Sequence, residues 1–153
     1  LPRSRGLGDV YKRQVKEKLD YSQKDLADWS KYRDITFNWP KIFPINSVKA
    51  MRGCFYFIDN EKIESYVEAI FKAYWTDGEN IAEDECLKSI VQNLETNPKE
   101  FIEFINDSEI KQRLIENTQN LIDRGGFGSP TFFLNDKDMY FGNDRIQLLE
   151  EKI

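Results

Sequence analysis

Histidine is absent from all 153 residues of this chain. That absence excludes Ser-His-Asp and Cys-His catalytic machinery, and any imidazole-ligated metal site, within this sequence. Cysteine is scarce: Cys54 and Cys86 are the only two, and they lie too far apart for a C-x-x-C redox pair. Their number suits a reduced, cytoplasmic protein better than a disulfide scaffold. No apolar run approaches the roughly 18 residues that a membrane span needs, and no secretory signal pattern opens the chain. Positive charge is in deficit, with 22 Lys and Arg against 27 Asp and Glu, a net charge of −5 and a pI near 4.9. A nucleic-acid backbone or an anionic membrane is therefore not expected as a partner. What the chain does have is apolar residues at 40% and aromatics at 14%, enough to bury a core in one ordinary domain and too many for a wholly disordered chain.

Residues 1–14, LPRSRGLGDVYKRQ, carry neither helical nor strand periodicity. Their last six, Asp9 to Gln14, resemble the translation of a transposon-end adaptor used in preparing sequencing libraries, and such a scar is left out of fold reasoning. The segment holds Arg3, Arg5, Lys12 and Arg13 against Asp9 alone, so the remaining chain is more acidic still. On this reading natural sequence begins near Val15, with some of it cut away in front. The alternative is a natural basic arm.

Helical patterns fill most of the chain beyond Gln14. Ser22 with Asp25 resembles a capping box ahead of an apolar stripe of Leu26, Trp29 and Tyr32. Trp39-Pro40 and Phe43-Pro44 break any helix and enforce an extended, aromatic-lined loop. Asn46 is placed to cap a helix with Val48, Met51, Phe55 and Ile58 on or near one face. Ile63, Tyr66, Val67, Ile70, Phe71, Tyr74 and Trp75 recur at helical spacing, the strongest such signal in the chain. Asn80 with Glu83 starts another helix, packed through Leu87, Ile90, Val91 and Leu94. Asn97-Pro98-Lys99-Glu100 combines an N-cap, a proline at the first helical position and a glutamate three beyond the cap. Asn106-Asp107 turns into a helix with Ile110, Leu114, Leu121 and Ile122, stopped by Gly125-Gly126. The period then changes. Thr131-Phe132-Phe133-Leu134 and Met139-Tyr140-Phe141, joined by Asn135-Asp136-Lys137-Asp138, predict a β-hairpin, and Gly142-Asn143-Asp144 leads into a last helix with Ile146, Leu148 and Leu149. The fold class is mainly α with a C-terminal β-hairpin and helix.

Few positions offer chemistry. Pro130 at a strand entrance is permitted because its missing N–H need not join the ladder, and a cis Ser129–Pro130 bond would turn the backbone N–H and C=O of Ser129 outward toward an extended ligand. An ordinary trans loop is the plain alternative. Gly142-Asn143-Asp144-Arg145 at a helix start suits a carboxylate, with Asp144 a partner for a ligand ammonium; simple capping explains the same residues. Asn46 has the same two readings. Trp39 and Phe43 form an aromatic wall for a planar ligand or a patch of core. Cys54 and Cys86 sit in helical patterns as small hydrophobes. The sequon Asn106-Asp107-Ser108 is a turn and cap.

Two stretches taken together resemble a known family. Residues 21–52, YSQKDLADWSKYRDITFNWPKIFPINSVKAMR, and residues 126–150, GFGSPTFFLNDKDMYFGNDRIQLLE, are similar to the 2-hydroxychromene-2-carboxylate isomerases, relatives of kappa-class glutathione transferases in the DsbA-like thioredoxin group. The resemblance runs over residues 15–153, with generic helices in the middle. It implies a fragment of an α/β thioredoxin-like fold, with a helical insertion over 15–124 and the C-terminal ββα part over 125–153. It implies glutathione as cofactor: Ser129 pairs with its cysteinyl part beside cis-Pro130, Asn143 and Asp144 hold the γ-glutamyl end, and Asn46 lies at the mouth of the site. Trp39 and Phe43 then border an aromatic-derived substrate. The implied reaction is reversible thiol addition, rotation and elimination, in aromatic catabolism, and kinship with the transferases implies a homodimer.

One departure from the family pattern matters. The family opens with a strand, a helix bearing the thiol-activating serine and a second strand, and no such segment stands in this sequence. The chain by itself is therefore expected to be inactive, with its hairpin less well held than its helices. Two alternatives stay open: a DsbA-type thiol-disulfide oxidoreductase, and a non-catalytic helical interaction module.

Overall fold

The computed structural model describes residues 16–153; the 1–14 segment lies outside them. Helix α1 is Lys16–Tyr32, α2 Val48–Asp59 and α3 Ile63–Phe71, which runs on into a π turn at Lys72–Thr76. Then come α4, Asp84–Asn93; α5, Pro98–Asn106; and α6, Ser108–Asp123. Strands β1, Thr131–Leu134, and β2, Asp138–Phe141, precede a 3-10 turn at Asn143–Arg145 and a short α7, Ile146–Glu150. The described chain is mainly helical with one small C-terminal sheet, as the fold-class reading requires.

Local chemistry sets most boundaries. The Asn97 side chain accepts from the N–H groups of Lys99 and Glu100, with Pro98 at the first helical position. Asp107 does the same for Glu109 and Ile110, and Gly125 leaves α6 at φ +88°, a conformation glycine adopts without a Cβ penalty. Asn46 Oδ1 accepts the Val48 N–H at 3.1 Å, one step outside α2. In the hairpin Asn135 and Asp136 both take positive φ, 50° and 63°, and the strands pair antiparallel with Phe132 opposite Tyr140 and Phe133 opposite Met139.

The core is made by α2 to α5. Phe57, Tyr66, Leu87, Val91, Phe101 and Ile105 are fully buried. The rings of Phe57 and Tyr66 stack at 4.4 Å and 11°, and the Tyr66 hydroxyl donates to the Ala50 carbonyl at 2.9 Å. Gly53 makes that closeness possible: a Cβ there would stand 2.2 Å from the Tyr66 oxygen and 2.7 Å from the Phe101 ring.

Three expectations about helices are corrected. Ser22 does not cap a helix: α1 is already under way at Lys16, and the Ser22 hydroxyl donates back to the Lys18 carbonyl at 2.7 Å. The stripe Leu26, Trp29 and Tyr32 packs no core: Leu26 is partly buried, Trp29 and Tyr32 are exposed, and α1 contains no fully buried residue. In α2 the buried face is Ala50, Gly53, Phe55 and Phe57, whereas Val48, Met51 and Ile58 are exposed. The close contact at Gly53 sets a buried face that keeps Phe55 and Phe57 inside and leaves the aliphatic Val48, Met51 and Ile58 outside.

Candidate functional site

A cleft of about 530 Å³ opens where the loop before α2, helices α2 and α3, the π turn and the segment before β1 meet. Phe43, Pro44 and Ile45 form one side. Ala50, Met51 and Cys54 of α2, and Tyr66, Val67, Ile70 and Phe71 of α3, supply floor and wall. Tyr74 and Trp75 come from the π turn, and Ile81 closes the far end. Ser129 reaches the same cleft from a distant part of the chain. No lining residue carries a charge.

The polar groups within the lining are neutral and mostly occupied. Burial pushes the Tyr66 phenol far above its ordinary range, so it stays protonated as the donor to Ala50. Burial likewise raises Tyr74, whose hydroxyl donates to the Ile42 carbonyl at 2.9 Å. The Cys54 thiol is pushed up by burial and lies 3.8 Å from the Ala50 carbonyl. A thiol held protonated is a poor nucleophile. The arrangement therefore accommodates a planar apolar ring system and offers it neither a base nor a thiolate.

An aromatic cluster borders the cleft. Phe43 meets Trp75 at 6.1 Å and Trp39 edge-on at 5.6 Å. Phe37 stacks on Trp75 at 5.5 Å and 28°, and meets Trp39 at 5.5 Å. Of the residues singled out in the sequence, the structure thus brings Phe43 and Ser129 onto one surface, with Trp39 one ring behind Phe43. Asn46 is exposed and capping, next to Ser47, which does line the cleft.

Pro130 follows Ser129 through a cis bond, and Phe43–Pro44 is cis as well. The Pro130 carbonyl accepts the Gly142 N–H at 3.0 Å, which ties the loop before β1 to the end of β2. The backbone N–H and C=O of Ser129 have no partner among the described residues. Beside an extended peptide such as glutathione, that free pair is what a short antiparallel pairing requires, so the residues present fit that group. Asn143 and Asp144 stand outside the lining, exposed; the Asp144 carboxylate takes the Arg145 guanidinium at 2.7 Å. Gly142 before them has φ +106°, a backbone conformation that favours glycine.

Sequence reasoning did not single out Met51, Cys54, Tyr66, Tyr74 or Trp75 as site residues, because at helical spacing they read as core. One signal was available. Adjacent aromatics at 74 and 75 point about 100° apart on a regular helix, yet both line this cleft. Elsewhere, Cys86 lies 3.3 Å from a Glu79 carboxylate oxygen, and burial together with that carboxylate pushes its thiol up to about 12. No cluster of three or more metal-ligating side chains occurs among the described residues, and no described helix is long and apolar enough to cross a membrane.

Comparison with known proteins adds an independent finding. The DsbA-like thioredoxin domain family matches residues 1–153. A 2-hydroxychromene-2-carboxylate isomerase of Pseudomonas putida is 37% identical over 142 residues, 90% of this chain and 66% of that protein. One of the same description from Pseudomonas sp. (strain C18) is 36% identical over 140 residues, 89% of this chain and 63% of that protein. The chain thus spans just under two thirds of the length of these curated relatives. A solved 2-hydroxychromene-2-carboxylate isomerase superposes with a TM-score of 0.80 at 31% identity, over 92% of this chain and 68% of that one.

Proposed function

Because the chain belongs to the DsbA-like thioredoxin domain family, and within it to the 2-hydroxychromene-2-carboxylate isomerases, we propose that its protein is a cytoplasmic, glutathione-dependent isomerase acting on an aromatic ring-cleavage product. One observation carries the reading: an uncharged, aromatic-walled cleft has on its surface Ser129, whose backbone has no partner among the described residues. A flat conjugated body fits the first feature and an extended thiol peptide the second. The activity of the named relatives supplies the reaction class, with glutathione contributing the thiol for reversible addition.

The residues of this chain then bind and orient. Ser129, beside Pro130, pairs with the cysteinyl part of glutathione, and Asn143 and Asp144 hold its γ-glutamyl end. Asn46 stands at the mouth, and Phe43, backed by Trp39, borders the substrate. The thiols of this chain do not replace that of glutathione, since burial raises both Cys54 and Cys86. For the same reason disulfide exchange draws no support from them. Among the described residues no charged group that would activate a thiol lines the cleft, so the 153-residue chain is expected to turn over no substrate by itself.

The test is to add 2-hydroxychromene-2-carboxylate to the purified chain with and without saturating glutathione, following tryptophan fluorescence and substrate absorbance together. Quenching without turnover is the expected result. Absence of quenching overturns the cleft as substrate site. Turnover without glutathione overturns the cofactor assignment, and turnover only with glutathione overturns the inactivity of the chain alone.

A further inference from the structure

We propose that the π turn at Lys72–Thr76, together with the loop bound to it, is a positioning device that makes the cleft selective for flat, rigid ring systems. The inference rests on the reading of the cleft as an organic substrate site, and it assigns roles to Asn38 and Thr76, which do not line the cleft themselves.

A π turn carries one residue more than a regular helical turn and rotates everything after it. Here the widened bond runs from the Asp77 N–H to the Lys72 carbonyl at 3.0 Å, and the result is that Tyr74 and Trp75 both face the cleft. The end of such a helix also leaves carbonyls without intrahelical donors. Asn38 takes two of them: its backbone N–H donates to the Trp75 carbonyl and its side-chain amide to the Thr76 carbonyl, each at 2.7 Å. Thr76 answers in the other direction, its hydroxyl donating to the Thr36 carbonyl at 2.8 Å. Further along the loop, the Tyr74 hydroxyl holds the Ile42 carbonyl.

Four hydrogen bonds therefore fasten residues 36–42 to the turn; the rings of Phe37 and Trp39 are carried on the fastened stretch and that of Phe43 directly follows it. Trp75 stacks on Phe37 and faces Phe43, so the same bonds fix the spacing between the loop rings and the helix wall. A wall whose position is set beforehand loses little conformational freedom on binding. It accepts a flat ring of matching thickness, whereas a flexible chain gains nothing from fixed spacing because it adapts to either state of the wall. The exposed position of Asn38 and the hydroxyl of Thr76 act on the ligand only through the loop.

The test uses two stable probes on the 153-residue chain, 1-hydroxy-2-naphthoate as a rigid bicyclic acid and decanoate as a flexible acid, with affinities read by tryptophan fluorescence. Thr76→Val and Asn38→Ala each weaken naphthoate binding by about five- to tenfold, the size of one or two net hydrogen bonds, and leave decanoate within about twofold. Thr76→Ser, which keeps the hydroxyl, restores naphthoate affinity. Equal weakening of both probes, or unchanged naphthoate affinity in both variants, overturns the device while leaving the site intact. If Thr76→Val does not fold, Asn38→Ala carries the test, since its backbone bond to Trp75 persists. Wild-type chain that binds neither probe overturns the cleft as a site, and the device with it. Turnover of 2-hydroxychromene-2-carboxylate without glutathione, beside the same probe selectivity, leaves the device standing and removes the glutathione-dependent reading.

Discussion

The helical core and the hairpin end are built from the same kinds of residue and come out differently. In the core, Phe57, Tyr66 and Phe101 have no exposed surface, because four helices converge on them. In the hairpin, Phe132, Phe133 and Leu134 are only half buried, Phe127 is 72% exposed and the terminal Ile153 95%. Leu149 of α7 is the one buried hydrophobic side chain among described residues 126–153. An apolar strand face needs a second layer to cover it, and aromatic content alone does not supply one. The hairpin is instead held by contacts close to it. The Arg124 guanidinium lies 3.7 Å from the Phe133 ring centroid, Phe127 packs on Phe141 at 4.7 Å, and Lys152 reaches Asp138 at 2.8 Å and also the Tyr140 hydroxyl. The core is stabilised by burial between elements, the hairpin by turn chemistry and surface pairs.

The largest effect that sharpens this contrast is Phe101→Ala. Removing a fully buried ring from the centre of the core should cost about 3–5 kcal/mol, read as a fall in the denaturation midpoint followed by helical circular dichroism; a cost near zero would erase the distinction. Phe132→Ala in β1 should cost about 1 kcal/mol or less in that same transition, while the strand amides exchange with solvent well before those of α2 to α5. A hairpin variant as costly as the core one would show that the two ends unfold as one.

The pH effects are smaller and opposite at the two ends. Cys86, on the helical side, keeps its proton in the folded chain up to about 12, whereas an unfolded thiol loses it near ~8.5. The folded state then binds more protons over that interval, so stability falls as pH rises through it. Cys86→Ala should flatten the alkaline decline of Tm. Asp138, on the hairpin, has its carboxyl held below the usual range, first by the Lys152 hydrogen bond and then by Tyr140. The folded state keeps that carboxylate ionised, so its contribution is present above the ordinary carboxylate range and is lost as pH falls. Hairpin amide protection should drop on acidification, and Asp138→Asn should remove that dependence. This is the smallest effect expected, because both partners are largely exposed.

What the sequence made legible was local chemistry. Asn97-Pro98, Asp107 and Asn135-Asp136 each carry their structure in adjacent residues, and each is found where that chemistry puts it. What it hid was decided across the fold. Of the apolar stripe expected for α2 only Phe55 is buried, because the closest contact of the helix is made at Gly53, which contributes no apolar side chain to a stripe. Ser22 has a capping spacing, but residues before it are helical already, so no free N–H group waits for its hydroxyl. The π turn has no signature of its own in Lys72–Thr76, and without it the cleft wall cannot be drawn. Phe43 and Ser129 were legible as candidates; that they share a surface was not.

Tyr66 has a consequence for how this site can change through mutation. Its ring is stacked in the centre of the core and, fully buried, backs the cleft floor, and its hydroxyl closes against Gly53 and Ala50. Floor and core thus share one side chain, and any substitution that reshapes the floor also disturbs the most tightly packed part of the molecule. The rim is under no such constraint, since Phe43, Met51 and Phe71 are all exposed. Drift in ligand preference among descendants of this chain, or in a laboratory selection for new ligands, should therefore accumulate at positions 43, 51 and 71 and leave 50, 53 and 66 unchanged.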